Sequence, residues 1–434
     1  MKIAIISINA HTKVLNPASP LHSVAFQQFL KQNGIESTIM DYKPVYYGKF
    51  DVRHPLFYYV DYPDSNPKSQ KTLLKKWKNL FYEREKRFDR FEEFIEKYYE
   101  RTDECYTAKI LEEVDPGFDC YICVTDVIWK YNPNNGFDRG FLLACKQMEG
   151  KKKIAYAASR GAKGYTAEQA KEFFDYISDI DYISVREKSL QDYITKNSDL
   201  PVAHVLDPVF LQEREFYEEM AILPKEKNYI LIYLAMEKTD DLVKTAVAFA
   251  KKHGYSVIEL SEYPSHSKLA DGVDFKVVYD IGVEEWLGYM MNAEYIFTNS
   301  FHACCFSIIF QKQFFVGARA GDKIDSVLEL FGLSWRRILG YDSKSDAPGA
   351  LEDIDFSTTE SIRKELTASS AEFILNAIHD MEEKEHQNRR DLVHASVYET
   401  QAKPTAEPEK VSFIKRVLRK IKRVFKKLFK TGKK

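Results

Sequence analysis

One pattern recurs along this sequence: a short apolar run ends in polar residues and is followed by a segment with helical spacing. Continuous apolar runs are typical of strands that are buried on both faces of a parallel sheet. Strands that alternate with helices favour an α/β fold. Because the carboxyl ends of parallel strands share one edge of a sheet, we expect the polar residues that end these runs to face one crevice. These residues are Asp126, Ser159 with Arg160, Arg186, and Asp207.

The stretch 295–309 repeats this pattern in the second half of the chain. An apolar run leads into Asn299 and Ser300, and a helix of small and apolar residues begins near His302. Asn and Ser cap helix N-termini, and a helix N-terminus favours an anion. Two interpretations remain open: an anion-binding site that includes His302, or a helix cap beside a histidine that is satisfied within the core.

A polar, charged segment separates two series of strands and helices. Two Rossmann-like halves joined by one linker indicate a GT-B-like architecture with the site in the cleft between the halves. No GxGxxG motif follows the first strand, so the dinucleotide fingerprint is absent. The predicted organisation has five parts. These are an N-terminal Rossmann-like domain over 1–211, a linker over 212–227, a C-terminal Rossmann-like domain that contains the stretch 295–309 over 228–385, a flexible linker over 386–410, and an amphipathic basic helix over 411–434.

The C-terminal tail carries a charge that the net value of −2 conceals. Residues 410–434 contain twelve Lys or Arg and no acid, so residues 1–409 carry −2 − 12 = −14. Apolar residues in the tail recur at spacings of three and four and line one helical face. This combination is typical of an interfacial helix on an anionic membrane surface. A partner-binding helix and a nucleic-acid tail are alternatives, but the regular apolar face argues against nucleic acid as a partner.

The six cysteines do not form a recognisable metal motif. Cys120 and Cys123 form a CxxC inside an apolar run with no second pair, so we interpret them as core thiols and expect no metal site. No secretory signal pattern follows Met1, and no run of about 18 apolar residues is present. We therefore expect a cytoplasmic protein that is peripheral on the inner face of the cell membrane.

Five motifs, in order and with matching spacing over roughly residues 1–380, resemble the polysaccharide pyruvyl transferase family. The motifs are Asp126 with Trp129, Ile154–Ser159, Ile183–Ser189, Leu206–Val209 and Thr298–Ala303. The chain departs from the family pattern at three places, which are Asn16–His22 in the loop after the first strand, Val124–Asp126, and Ser159–Gly161. These departures lie in the half that, by this resemblance, holds much of the sugar acceptor.

The resemblance implies transfer of a pyruvyl group from phosphoenolpyruvate to sugar hydroxyls of a cell-surface or exopolysaccharide glycan, which forms a ketal. Phosphoenolpyruvate is then the donor substrate, no further cofactor is needed, and the acceptor is a glycan or a lipid-linked saccharide. Guanidinium groups bind carboxylate and phosphate bidentately, and an imidazole suits the proton steps. We therefore predict Arg186 and His302 as catalytic residues. The predicted substrate-binding residues are Ser300, Asn299, Ser159, Arg160 and Asp126.

Each of these residues also has a structural interpretation. Arg186 fits a solvated helix start, Arg160 a surface position, Asp126 a helix cap, and Asp207 with Pro208 a turn that shapes the interdomain hinge. Two other functions remain open: a GT-B-like glycosyltransferase that uses a nucleotide sugar, and a non-catalytic, membrane-associated scaffold of glycan assembly. The sequence leaves open the accepting sugar, the oligomeric state, and which residue acts as acid or base.

Overall fold

The computed structural model describes residues 1–12, 15–44, 53, 78–161, 164–235, 240–261, 267–318, 321–338 and 352–399. The described residues up to His394 form one compact unit, and residues 395–399 belong to a second. The predicted amphipathic basic helix over 411–434 lies outside the described residues.

The described residues of the N-terminal half form a sheet of seven parallel strands. Its strand order is β3-β2-β1-β4-β5-β6-β7. The central strands are fully buried because helices cover both faces, as their continuous apolar composition requires. The strands are β1 (Ile3–Ser7), β2 (Ser37–Tyr42), β3 (Arg101–Tyr106), β4 (Cys120–Val124), β5 (Lys152–Ala158), β6 (Tyr182–Val185) and β7 (Val202–His204).

A second parallel sheet follows in the C-terminal half, with five strands among the described residues. Its order is β10-β9-β8-β11-β12. The strands are β8 (Tyr229–Tyr233), β9 (Ser256–Leu260), β10 (Phe275–Val278), β11 (Tyr295–Thr298) and β12 (Gln313–Val316). Two parallel sheets, one on either side of residues 212–227, confirm the predicted α/β class.

Helices connect and cover the strands. Among the described helices, none combines the length and the apolar character that crossing a membrane requires. The helices are α1 (Ala18–Gln32), α2 (Phe81–Tyr98), α3 (Ala167–Ile177), α4 (Lys188–Asn197), α5 (Arg214–Met220), α6 (Asp240–His253), α7 (Val283–Asn292), α8 (Phe301–Ile309), α9 (Lys323–Leu330), α10 (Phe356–Glu383) and α11 (Ala395–Tyr398).

The segment between the sheets is packed, although its charged composition predicts a linker. It contains α5, in which Tyr217 is fully buried. The Tyr217 hydroxyl donates a hydrogen bond of 2.7 Å to the carbonyl oxygen of Val209. The Tyr217 ring lies edge-on to Phe306 of α8, with 4.9 Å between ring centroids. Beyond α5, the backbone runs so close to Gly288 that a Cβ atom there would lie 1.9 Å from the Ile222 carbonyl oxygen. Four of the seven residues of α5 are charged, so the composition of this segment does not reveal its packing.

The chain after the second sheet returns to the first one. The Ser370 hydroxyl of α10 accepts the Leu206 N–H at 3.0 Å, and Tyr182 of β6 donates to Asp380 at 2.8 Å. Residues 386–394, here termed the C-terminal strap, continue this attachment. The flexible linker predicted to begin at residue 386 therefore starts with an ordered segment, since part-buried hydrogen bonds hold the strap to the loop that precedes β6.

Candidate active site

The loop after β4 has an uncommon backbone conformation. Thr125 and Asp126 adopt φ angles of 37° and 61°, the left-handed region that non-glycine residues rarely occupy. The Thr125 N–H donates to the Tyr156 carbonyl, and the Asp126 carbonyl accepts the Ser159 N–H at 3.1 Å. These bonds tie the loop to β5 and its end. Strain of this kind is concentrated at functional sites.

Asp207 lies at the centre of the cluster that the strand ends form. Its carboxylate is fully buried and accepts hydrogen bonds from the Arg186 guanidinium at 2.8 Å and the Thr125 hydroxyl at 2.9 Å. Nε2 of His302, from the second sheet, lies 3.5 Å from the same carboxylate oxygen. The other oxygen accepts the Val209 N–H at 3.3 Å and caps the turn. Asp207 therefore joins the two halves of the molecule.

Arg186 is buried among three carboxylates. Besides Asp207, its guanidinium contacts Glu187 at 3.2 Å and Asp126 at 3.5 Å. It also lies over the ring of Phe301, 4.2 Å from the ring centroid, in a cation–π contact. With its side chain 2% exposed, Arg186 is not the solvated helix start that its sequence neighbours suggest.

Two histidines face each other at the edge of this cluster. His302 belongs to the first turn of α8, and His22 of α1 lies with its ring centroid 5.9 Å from that of His302. Burial lowers the pKa of His22 to about 4, so its imidazole is neutral at pH 7. Neither ring nitrogen of His22 has a hydrogen-bond partner among the described residues.

The charges in the cluster determine which carboxylates ionise. Burial alone would raise the pKa of Asp207, but His302 and Arg186 outweigh it and hold this pKa well below its usual range. Burial alone would also raise the pKa of Asp126, but the nearby charges of Lys323 and Arg186 outweigh it and lower this pKa. Burial dominates at Glu187 and raises its pKa. The cluster thus combines fixed negative charges with a buried cation.

The remaining predicted substrate-binding residues have local contacts. The Ser300 hydroxyl caps α8 by accepting the Ala303 N–H at 3.4 Å, and the Asn299 side-chain oxygen accepts the Ala235 N–H at 2.8 Å. The Ser159 hydroxyl accepts the Gly161 N–H at 3.3 Å. The guanidinium of Arg160 lies 4.7 Å from the ring centroid of Tyr193, and its Nη1 has no hydrogen-bond partner among the described residues.

The structure thus brings Asp126, Arg186 and His302 together around Asp207, which the sequence placed at the same crevice but also allowed to be a hinge turn. Glu187, His22 and Lys323 also belong to this neighbourhood and were not predicted. Asp207 follows a strand in the same series as Asp126 and Arg186. This position was the sequence signal that identified it as a candidate site residue. No comparable sign in the sequence indicated that His22 belongs to the site, because a histidine within an apolar helix is typical of a packing residue.

Comparison with solved structures places this arrangement in a known fold. A putative UDP-N-acetylglucosamine 2-epimerase from Listeria monocytogenes aligns with a TM-score of 0.51 and 9% identity, over 88% of this chain and 96% of that chain. UDP-N-acetylglucosamine 2-epimerases from Rickettsia bellii and Neisseria meningitidis align at TM-scores of 0.48 and 0.47, both at 12% identity, over 87% and 88% of this chain and 96% and 100% of theirs. The first likeness confirms the GT-B-like fold.

Sequence comparisons address the family. No curated protein sequence matches this chain significantly. The family model described as polysaccharide pyruvyl transferase matches residues 21–318, which is more than half of the chain. This match includes all five motifs around the Asp207 cluster, and we conclude that the chain belongs to the polysaccharide pyruvyl transferase family.

Proposed function

We propose that this protein transfers a pyruvyl group from phosphoenolpyruvate to two hydroxyls of a sugar and so forms a pyruvate ketal on a cell-surface or exopolysaccharide glycan. The observation that carries the proposal is the meeting of Arg186 and His302 on the Asp207 carboxylate, in a chain of this family. One residue comes from each sheet. A cation and a proton-transfer group are the two functions that this reaction requires.

Anion binding is the first requirement, because the donor carries a carboxylate and a phosphate. Nη2 of Arg186 lies 3.5 Å from Asp126 but makes no hydrogen bond among the described residues, so it retains donor capacity. The N-terminus of α8 adds backbone N–H groups and a favourable dipole beside it. His22 adds a neutral ring whose N–H is not used within the described structure. These groups suit the two anionic ends of the donor.

Proton transfer is the second requirement. Protonation of the methylene carbon of phosphoenolpyruvate produces an oxocarbenium-like centre at C2, which the first sugar hydroxyl attacks. The C2–O bond to phosphate then breaks, and the second hydroxyl completes the ketal. Of the two hydroxyl protons, one balances the proton that carbon gained and the other leaves with phosphate. An imidazole suits these transfers near neutral pH, and we assign them to His302, whose Nε2 lies 3.5 Å from the Asp207 carboxylate.

The test is incubation of the purified protein with phosphoenolpyruvate and a panel of soluble and lipid-linked galactosides. We expect acceptor-dependent release of phosphate and a product whose mass has increased by one pyruvate ketal. His302→Ala should lower kcat by about 10²–10⁴-fold, the usual contribution of general acid–base catalysis. His379→Ala, at an exposed histidine of α10, is the matched control and should retain activity.

Arg186 is tested with Lys, because Ala would leave three carboxylates without their buried cation. Arg186→Lys keeps the charge but loses the planar fork, so the donor KM should rise, whereas Arg390→Lys at an exposed ion pair should not change it. Consumption of a nucleotide sugar in place of phosphoenolpyruvate would instead identify a glycosyltransferase. Full cellular function of His302→Ala without turnover of either donor would identify a scaffold.

A further inference from the structure

A second polar cluster lies at the other side of the first sheet, where β1, β2 and β3 are neighbours. His11 lies in the loop after β1, Asp41 in β2 and Cys105 in β3. Asp41 and Cys105 are paired in the register of the two parallel strands, so their side chains project from the same face of the sheet. Three residues that are far apart in sequence thus meet at one point.

The distances within this cluster suit a common metal ligand sphere. Nδ1 of His11 lies 3.0 Å from Oδ1 of Asp41 and 3.9 Å from Sγ of Cys105. All three atoms lie within 4.8 Å of one another. In a tetrahedral zinc site with bonds of about 2.0–2.3 Å, ligand atoms are roughly 3–4 Å apart. The separations within this cluster are therefore close to those of ligand atoms that share one ion.

The neighbouring cation Arg101 contacts one oxygen of the Asp41 carboxylate and leaves the other available to a metal ion. Nη1 of Arg101 lies 3.9 Å from Oδ2 of Asp41 and donates to the Ala10 carbonyl at 3.3 Å. Arg101 thus contacts the Asp41 oxygen other than the one that lies beside His11. Such outer contacts orient ligands in metal sites. On the open side, the His11 side chain is 30% exposed and Cys105 is exposed, which leaves access for a fourth ligand.

We propose that His11, Asp41 and Cys105 form a zinc-binding site with a fourth position open to water or to a ligand oxygen. A nitrogen, a sulfur and an oxygen ligand suit zinc, whereas calcium and magnesium prefer oxygen ligands alone. On binding, the Cys105 S–H bond breaks, a Zn–S bond forms and the proton passes to solvent. Three protein ligands with one open position distinguish this site from closed structural zinc sites.

The test is zinc binding by the full-length protein, prepared without a metal-binding tag. After dialysis against metal-free buffer, the protein is titrated with zinc against a chromophoric chelator and its metal content is measured by mass spectrometry. We expect one zinc per chain. Replacement with Co(II) should produce a thiolate-to-metal charge-transfer band that Cys105→Ser abolishes.

Variants separate this site from other weak binding by the chain. Affinity should fall more than about 100-fold in Cys105→Ser, His11→Ala and Asp41→Asn, and by about 10–100-fold in Arg101→Met, which changes only an outer contact. Glu104→Gln, at an exposed carboxylate beside Cys105, is the matched control and should bind zinc as the unchanged protein does. Circular dichroism establishes that each variant is folded. Substoichiometric zinc in the unchanged protein, or equal affinity in folded Cys105→Ser and His11→Ala, would overturn the proposal.

Discussion

At the scale of single residues, Asp207 is the residue at which the two halves of the candidate site meet. Its carboxylate contacts Arg186, Thr125 and His302, which come from three different elements of both halves. A buried charge of this kind is tolerated only because each oxygen has partners. The contact that brings His302 beside Asp207 therefore also links the two halves of the molecule.

Asp207→Asn tests this double role. We expect the free energy of unfolding to fall toward the lower end of about 3–5 kcal/mol, because Arg186 loses one buried partner but keeps Asp126 and Glu187. Urea denaturation measures the change, and phosphate release should fall in parallel. Asp199→Asn, with a side chain that is 77% exposed, is the control and should stay within about 0.5 kcal/mol of the unchanged protein. Equal denaturation midpoints for Asp207→Asn and the control would contradict this account.

At the scale of elements, α10 and the C-terminal strap attach the end of the second half to the first sheet. Both ring nitrogens of His386 in the strap lie beside carboxylates, Nε2 at 3.2 Å from Asp179 and Nδ1 at 3.0 Å from Asp181. Lys153 of β5 pairs with the same Asp179. Hydrogen bonds to Asp179 and Asp181 raise the pKa of His386 to about 9.

This raised pKa predicts a pH-dependent contribution of the strap to stability. His386 stabilises the fold fully below about 6.5, the ordinary histidine pKa, and loses that contribution as pH rises through about 9. The difference in unfolding free energy between the unchanged protein and His386→Ala should therefore shrink across this pH range. Denaturant titrations of both proteins at each pH measure it, with His379→Ala as the control. A difference that is constant with pH would show that the imidazole charge has no role.

At the scale of the whole molecule, one buried apolar cluster continues through both sheets, with Ile5 and Ile122 from the first and Leu231 and Ile296 from the second. The family model ends at residue 318 and includes neither the strap nor the basic tail. The tail concentrates twelve positive charges in residues 410–434 of a chain that is otherwise acidic. We propose that this segment holds the protein beside a membrane-bound acceptor.

Deletion of Val411–Lys434 tests the membrane proposal. Each Lys or Arg near an anionic leaflet contributes about 1 kcal/mol, so the full chain should sediment with anionic vesicles and the shortened chain should not. Activity on a soluble acceptor should be unchanged, because the deletion removes none of the residues of the Asp207 cluster. Neutral vesicles serve as the control. Sedimentation of the shortened chain at low salt, or failure of the full chain to sediment, would disprove the membrane role.

The sequence alone was sufficient to predict the α/β class, the two series of parallel strands with helices, and the family. Apolar runs such as those before Asp126 and Asn299 are local signals, and local burial is what forms a strand. The strand ends of the first series then predicted that Asp126, Arg186 and Asp207 face one crevice, since parallel strands align their carboxyl ends. The expected cleft between the two halves added His302. These expectations needed only short-range pattern and the rules of sheet geometry.

Tertiary structure alone decided which of these residues touch and which segments pack. Asp207, His22 and the strap acquire their roles from partners on other elements, which no local pattern specifies. Residues 212–227 and the first part of 386–410 are polar enough to suggest linkers, yet buried contacts of the first segment and part-buried hydrogen bonds of the second order them. His11, Asp41 and Cys105 meet only because three strands are neighbours in the sheet. The physical reason is the same in each case: contacts between distant residues depend on how elements pack, and a sequence pattern reports only its own neighbourhood.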